Sequence, residues 1–380
     1  MKDPAYGFTA SPSLGLAREA YFSKSWYEEE LSSVFYANWT FAGILADVPN
    51  SGDYLCLNAG TSPLFVIRTD EGELKAFHNI CRHRGTTLLR GRGNTSDGIQ
   101  CGYHCWRYDL EGALRSVPRP HQFPGLKKTQ LGLHPASVAL FKGMIFVHPE
   151  ERSQSDFEHW LGEFPAHFGP YDLAGLQEVL ATRRPMKANW KLFVENHIES
   201  YHLWYAHRRS ILGLDHNKQV NHYYNGHWSF FEPTLIEGRM AEFESNIPSR
   251  IIAPDPLWFG SGDHLLYPNL GIVTGAKFVG TLKVIPTGPI TSEIEMRLFG
   301  ELAPQGEAED TRYGYYDARG SSEGTDLNGE DIELCERVQE GLGSPRFAVG
   351  ALAREYEQSI AHFHEKYRAE MSPHSARRTG

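Results

Sequence analysis

Residues 81–106 read CRHRGTTLLRGRGNTSDGIQCGYHCW. Cys81 and His83 are followed, after 17 residues, by Cys101 and His104, so two short loops each offer one thiol and one imidazole. Two Cys and two His make a legitimate tetrahedral zinc set, but zinc modules usually pair like with like, CxxC and then HxxxH. A mixed pair on each loop suits a two-iron, two-sulfide cluster in which two thiolates hold one iron and two imidazoles the other.

Imidazoles in place of thiolates raise the potential of such a Rieske [2Fe–2S] centre, which then serves as an electron relay. The surrounding texture agrees. From Trp39 to about Pro149 short β-branched and aromatic runs (TFAGIL, SGDYLCLNAG, LFVIRT, LKAFHNI, MIFVHP) alternate with Gly, Asp, Asn and Pro, the pattern of a small antiparallel β module. TDEG at 69–72 and DLEG at 109–112 read as its hairpin turns. Upstream, residues 14–38 carry apolar side chains at a helical period and predict one or two leading helices. Downstream comes a helix-rich connector over 153–180, then 191–207, which has no Pro or Gly and reads as one helix. Strands return in HYYNGHWSFFEP, NLGIVTGAKFVGTLKVIP and SEIEMRLFGEL, and helical patterns over about 328–342 and 348–370 precede a loose tail, SPHSARRTG.

The chain has 380 residues, 41% hydrophobic, 22% charged and 12% aromatic, enough to bury two cores and line a pocket. Net charge is −10, which disfavours nucleic acid and anionic membranes as partners. No run reaches the ~18 apolar residues of a membrane span, and the opening segment lacks an apolar signal core, so a cytoplasmic location is expected. Five widely spaced cysteines and 18 histidines point away from a disulfide framework and toward metal or redox use.

CRHRG followed by CGYHCWRYDLEG resembles the cluster motif of the Rieske non-haem iron aromatic-ring-hydroxylating oxygenase family, large (α) subunit. That family usually has Gly where this chain has Cys105, which is read here as a packing residue rather than a fifth ligand. A second stretch, NWKLFVENHIESYHLWYAH over 189–207, resembles the family's NWK…EN…[DE]-x-Y-H-x4-H. The resemblance implies that His202 and His207 hold a mononuclear Fe(II). Five residues put them about 140° apart on an ideal helix, so a π-bulge or a helix end must intervene. His197, also five residues from His202, falls outside the family's pair and is expected to support the site or the core. For the third ligand the family's late helix ED-x3-CE-x2-Q-x-G matches 330–341 and implies Asp331, with Glu330 or Asp326 as alternatives; Asp215 is the nearby carboxylate. Glu199 matches the acidic residue that in the family bridges a Rieske His, here His104, to an iron-ligand His of the next subunit. Asn196 is expected near the iron as a polar neighbour, and Tyr201 as a packing residue.

The implied fold is α+β: leading helices over 1–38 packed on the catalytic domain, an antiparallel β Rieske [2Fe–2S] domain over 39–150, and a helix-grip (Bet v 1-like) catalytic domain with a curved antiparallel sheet over 151–380. The implied function is the terminal oxygenase component of a Rieske system, with a [2Fe–2S] cluster and mononuclear non-haem Fe(II), in a chain expected to assemble as a homotrimer. Electrons are expected from a separate reductase or ferredoxin, because Gly341-Leu342-Gly343-Ser344 follows a helix and makes no dinucleotide fingerprint. O2 and a small organic substrate, aromatic or quaternary ammonium, complete the reaction. A rival is a Rieske electron-transfer protein whose second domain only binds a ligand. Aromatics between Trp204 and Phe231, with Trp258 and Phe259, are candidate pocket walls.

Overall fold

The computed structural model describes residues 14–207, 220–232, 252, 261–275, 277–301 and 327–375. Two short helices open it, α1 (Glu19–Phe22) and α2 (Lys24–Glu30), the second capped by Ser23 and running into a π-helical turn over Leu31–Phe35. The next strands are β1 (Thr40–Ile44), β2 (Asp53–Ala59), β3 (Ser62–Arg68), β4 (Leu74–His78) and β5 (Arg92–Asn94). They are followed by β6 (Ile99–Gln100), β7 (Arg107–Tyr108), β8 (Leu114–Ser116), β9 (Pro135–Phe141) and β10 (Met144–His148). One antiparallel sheet runs β1-β10-β9-β4-β3-β2-β5, and β6-β7-β8 form a small second one. Both expected hairpin turns close by backbone bonds, Gly72 N–H to Thr69 O at 3.1 Å and Gly112 N–H to Asp109 O at 3.0 Å.

Helices α3 (Gln154–Leu161) and α4 (Phe164–Phe168) lead into β11 (Gln177–Met186). Then come α5 (Trp190–His197), α6 (Leu203–Ala206), and strands β12 (Val220–Tyr224) and β13 (His227–Glu232). The chain continues through β14 (Ser261–Leu266), β15 (Leu270–Thr274), β16 (Val279–Gly288) and β17 (Thr291–Gly300), and ends with α7 (Leu327–Leu342) and α8 (Gln358–Ser375). The second sheet, order β11-β17-β16-β15-β14-β13-β12, is antiparallel and curled, with α5 laid across β16 and β17 and α7 packed on α5.

Two expectations need correction. The helix expected over 191–207 breaks after His197, because the Glu199 carboxylate accepts from the backbone N–H groups of Tyr201 and His202 and so starts a new helix, α6. The helix expected from 348 starts at Gln358 and takes in part of the tail. Upstream of it the backbone is engaged elsewhere: Leu14 bridges Ala351, and Gly15 N–H donates to Gly350 O at 3.2 Å.

The two modules share a core. Trp39, just before β1, and Phe41, Met144 and Phe146 of the first sheet meet Phe157, Phe164 and Phe168 of α3 and α4, and Ile272, Val279 and Phe299 of the second sheet, in one hydrophobic cluster. Arg297 on β17 reinforces the junction with a two-pronged bond to Asp47 (2.7 and 2.6 Å) and a third to Glu178 at 2.5 Å. Among the described residues no helix is long and apolar enough to cross a membrane.

Candidate active site

The two cluster loops are built alike. Cys81 N–H bonds Thr86 O at 2.8 Å and Gly85 N–H returns to Cys81 O at 2.9 Å; Cys101 N–H bonds Trp106 O at 2.8 Å and Cys105 N–H returns to Cys101 O at 3.0 Å. Each turn therefore needs a left-handed residue four positions after its cysteine, Gly85 at φ 72° and Cys105 at φ 56°. Cys105 is exposed there, which corrects the expectation of a packing role: the backbone turn, not a pocket for the thiol, sets this position.

Cys81 and Cys101 are buried, while the rings of His83 and His104 lie 4.7 Å apart, edge to face. His83 stacks on Trp106 at 4.9 Å, and its Nδ1 is buried without a hydrogen-bond partner. Burial, helped by His104 and Arg84, pulls the His83 pKa below its ordinary value, favouring the neutral imidazole a metal requires. Tyr108 holds its hydroxyl 3.4 Å from Cys81 Sγ and accepts from Arg82 N–H at 3.0 Å. An unpartnered imidazole nitrogen beside two buried thiols fits a Rieske cluster, with Tyr108 placed to donate to a thiolate.

The second constellation begins at Asn189. Its side chain caps α5 by accepting from Lys191 N–H at 3.0 Å, and its backbone N–H donates to Gln339 Oε1 at 2.8 Å. On α7, Asp331, Cys335 and Gln339 repeat every four residues and share the buried face. Cys335 Sγ donates to Leu192 O (3.4 Å) and Glu336 accepts from Lys187 N–H (2.8 Å), so three contacts pin α7 to the start of α5. Asp331, one turn earlier, is thereby delivered to the histidines.

His202 precedes α6 and His207 follows it, so a helix end resolves the angular mismatch of their spacing. Their rings are 5.0 Å apart, and ligand atoms of His202, His207 and Asp331 all lie within 4.8 Å of one another. Asp331 Oδ1 is 3.0 Å from His207 Nε2 and 3.7 Å from His202 Nε2, yet has no hydrogen-bond partner. Donors about 2.1 Å from a shared ion stand about 3 Å apart at a right angle, so these atoms fit a metal better than one another. Each histidine has its other nitrogen held by a carboxylate: Glu199 Oε1 is 2.5 Å from His202 Nδ1, and Glu330 Oε2 is 2.8 Å from His207 Nδ1. Burial disfavours a charged His207, but the adjoining carboxylates of Asp331 and Glu330 outweigh it and raise its pKa.

The triad opens into a cavity of about 80 Å³ also lined by Asn196, His197, Trp228, Phe230, Asp263, Leu282 and Met296. Register explains the lining. Phe230, Asp263, Val273, Gly280 and Leu298 face one another across β13 to β17, and Trp228, Leu265, Gly271, Leu282 and Met296 form the neighbouring row. Gly271 leaves room for His197, whose Nε2 would lie 2.7 Å from an added Cβ and is 3.2 Å from His264 O.

Of the other expected wall residues, Tyr205 is exposed, Tyr223 leans on His362 at 5.5 Å, and Tyr224 is buried against Ser229. Phe231 lines a separate pocket with His264, on the strand position that alternates with Phe230. Tyr201 stacks on Tyr356 at 5.8 Å but stays half exposed, so it packs on one face only. Asp215, Asp326, Trp258, Phe259 and the Trp204 side chain lie outside the described residues. Sequence reasoning missed Asp263 and Trp106; no spacing signal marks the first, whereas the second directly follows the cluster motif.

A β module with paired Cys/His loops, joined to a helix-clasped sheet with two histidines and a carboxylate at one cavity, defines a Rieske-type non-haem iron oxygenase chain. The Rieske [2Fe-2S] domain family matches residues 38–131, and the ring hydroxylating alpha subunit (catalytic domain) family matches 173–373. This chain belongs to the ring-hydroxylating oxygenase α-subunit family. It is similar to the chloroplastic choline monooxygenase of Beta vulgaris, 30% identical over 90% of this chain and 74% of that protein. It is also similar to the glycine betaine monooxygenase oxygenase subunit of Pseudomonas aeruginosa, 32% identical over 50% of this chain and 44% of that protein. The solved structure of the quaternary ammonium Rieske monooxygenase CntA shares the fold, with a TM-score of 0.77, 20% identity, and 95% of this chain and 96% of that one covered. The chain is an oxidoreductase, the terminal oxygenase of a system whose electrons come from a separate reductase or ferredoxin.

Proposed function

We propose that this oxygenase acts on a small quaternary ammonium compound, oxidising an N-methyl group or a carbon beside the nitrogen. The observation that carries this reading is the aromatic part of the cavity that His202, His207 and Asp331 also line, where the buried rings of Trp228 and Phe230 stack 5.4 Å apart at 21°. Such faces attract a permanent cation by roughly 0.5–2 kcal/mol. The names of the similar choline and glycine betaine monooxygenases support the same class.

In this reading Cys81 and Cys101 hold one iron of the cluster, His83 and His104 the other, and His202, His207 and Asp331 the mononuclear iron. When bound, the two centres supply electron transfer and O2 activation. Glu199 fixes the Nδ1 proton of His202. Asn196 offers a polar contact at the cavity wall, while Leu282, Met296 and Leu298 exclude water from it. The modules are assigned as 1–38, 39–150 and 151–380. The working form is a homotrimer in which Glu199 also accepts from His104 of the partner subunit; exposed Tyr103, beside His104, and exposed Tyr201 and Tyr205, beside Glu199, support a buried contact there. A cytoplasmic location suits five free cysteines and an exposed thiol at Cys105.

The test couples the purified protein to a reductase and NADH. Choline, glycine betaine and carnitine are compared with naphthalene and biphenyl, with O2 uptake and products read by mass spectrometry. Product formation from a cationic substrate supports the proposal; turnover of uncharged aromatics alone rejects it. Light scattering that shows an active monomer rejects the inter-subunit arrangement.

A further inference from the structure

We propose that Glu330 is a positioning residue, which sets the tautomer and ring orientation of His207 so that Nε2 is offered to the metal. The inference rests on reading His202, His207 and Asp331 as an iron site. Glu330 and Asp331 are neighbours at the first turn of α7, and consecutive helical positions project about 100° apart. Here that step places two carboxylates at opposite edges of one imidazole. Asp331 Oδ1 stands 3.0 Å from Nε2, and Glu330 Oε2 stands 2.8 Å from Nδ1. Glu330 thus occupies the edge directed away from Asp331, which takes it out of the ligand set that its place in the sequence allowed.

His207 needs such a partner more than His202 does. It follows α6 with non-helical backbone angles, φ −101° and ψ 32°, so no helical neighbour fixes its ring. A neutral imidazole carries its proton on either nitrogen, and only the Nδ1–H form leaves the Nε2 lone pair for a metal. An ionised carboxylate is acceptor-only, so Glu330 selects that form. Glu199 holds His202 in the same way at 2.5 Å, but the two carboxylates differ in setting: the Glu199 side chain is 11% exposed and that of Glu330 37%. Glu330 therefore serves metal retention from the solvent side, whereas Glu199 lies inside the site.

The experiment compares wild type, Glu330→Gln, Glu330→Ala and Glu330→Asp, each loaded anaerobically with Fe(II) or Co(II) and challenged with a chelator. Circular dichroism and the cluster's visible absorption verify the fold and should be unchanged. Glu330→Gln and Glu330→Ala should release the mononuclear metal at roughly 10- to 100-fold lower chelator concentration and alter the Co(II) spectrum, with partial rescue in Glu330→Asp. Excess Fe(II) should restore turnover in Glu330→Gln. Wild-type retention and an unchanged Co(II) spectrum in both Glu330→Gln and Glu330→Ala overturn the proposal. A wild-type protein that takes up no mononuclear metal overturns the iron site itself, and with it this role, so the two failures are told apart.

Discussion

Replacing Lys191 with methionine should destabilise the protein by about 3 kcal/mol, and the reason lies in a charge pair sealed inside the catalytic module. Lys191 and Glu30 are both fully buried, and the Lys191 ammonium donates to Glu30 Oε1. Glu30 also accepts from Trp190 Nε1 at 2.9 Å and from the Tyr367 hydroxyl at 2.5 Å, so α2, α5 and α8 meet on one carboxylate. Removing one partner of a buried ion pair typically costs ~3–5 kcal/mol, because the other charge is left uncompensated. Two donors remain to Glu30, which places the expected loss near the lower end. The assay is urea unfolding followed by tryptophan fluorescence, comparing midpoints at unchanged slope. Glu30→Gln added to Lys191→Met removes the stranded charge and should recover at least half of the loss. A single-variant loss under about 1 kcal/mol, or a double variant no better than the single, refutes the reasoning.

Three further outcomes are expected. His227 and His264 are buried neutral, with pKa values pushed down by burial to about 4 and about 3; since the unfolded chain protonates near 6.5, stability falls as pH drops from 6.5 toward 4, by roughly 2 kcal/mol per histidine at pH 5, which unfolding midpoints at pH 7 and pH 5 measure. Protonation would also cost His227 Nδ1 the bond it accepts from Tyr267 N–H at 2.8 Å. Cys105→Gly should raise stability by up to ~1 kcal/mol, because it relieves a left-handed non-glycine residue; a thermal-shift comparison in which the variant melts lower contradicts the turn argument. Trp228→Ala should raise KM for a quaternary ammonium substrate about 2- to 30-fold while sparing kcat more, and steady-state kinetics that show an unchanged KM remove Trp228 from the cation's path.

Cys81, His83, Cys101 and His104 stand out in the sequence because a mixed Cys/His pair recurs at a fixed spacing, whereas His202, His207 and Asp331 are implied by resemblance to two family motifs, and the structure brings their ligand atoms within 4.8 Å of one another. The helix break before His202 was not legible: nothing in a run free of Pro and Gly shows that the Glu199 side chain will compete for backbone N–H groups. Cys105 was misjudged because a left-handed φ belongs to the turn and leaves no trace in side-chain polarity. Asp263 and Gly271 reach the cavity and its neighbourhood only through strand register, a long-range property no local window contains.

The same long-range packing bears on how the two metal sites work together. Residues 39–150 and 151–380 read as separate textures, yet Phe41 and Phe146 share a hydrophobic cluster with Ile272 and Phe299. Arg297 spans the junction to Asp47, and half-buried Lys283 donates to Phe41 O at 2.7 Å. A cluster module clamped by both apolar and charged contacts keeps one orientation to its own catalytic sheet. Domain swing is then a poor way to bring electrons to the iron, and fixed contacts must carry them. In the trimer proposed above, the exposed rings of Tyr103 and Tyr201 become part of that contact, and Glu199 is the carboxylate at its centre. Rigidity within one chain and contact between chains are therefore two halves of one requirement: the donor and acceptor histidines must be held where a single carboxylate can reach both.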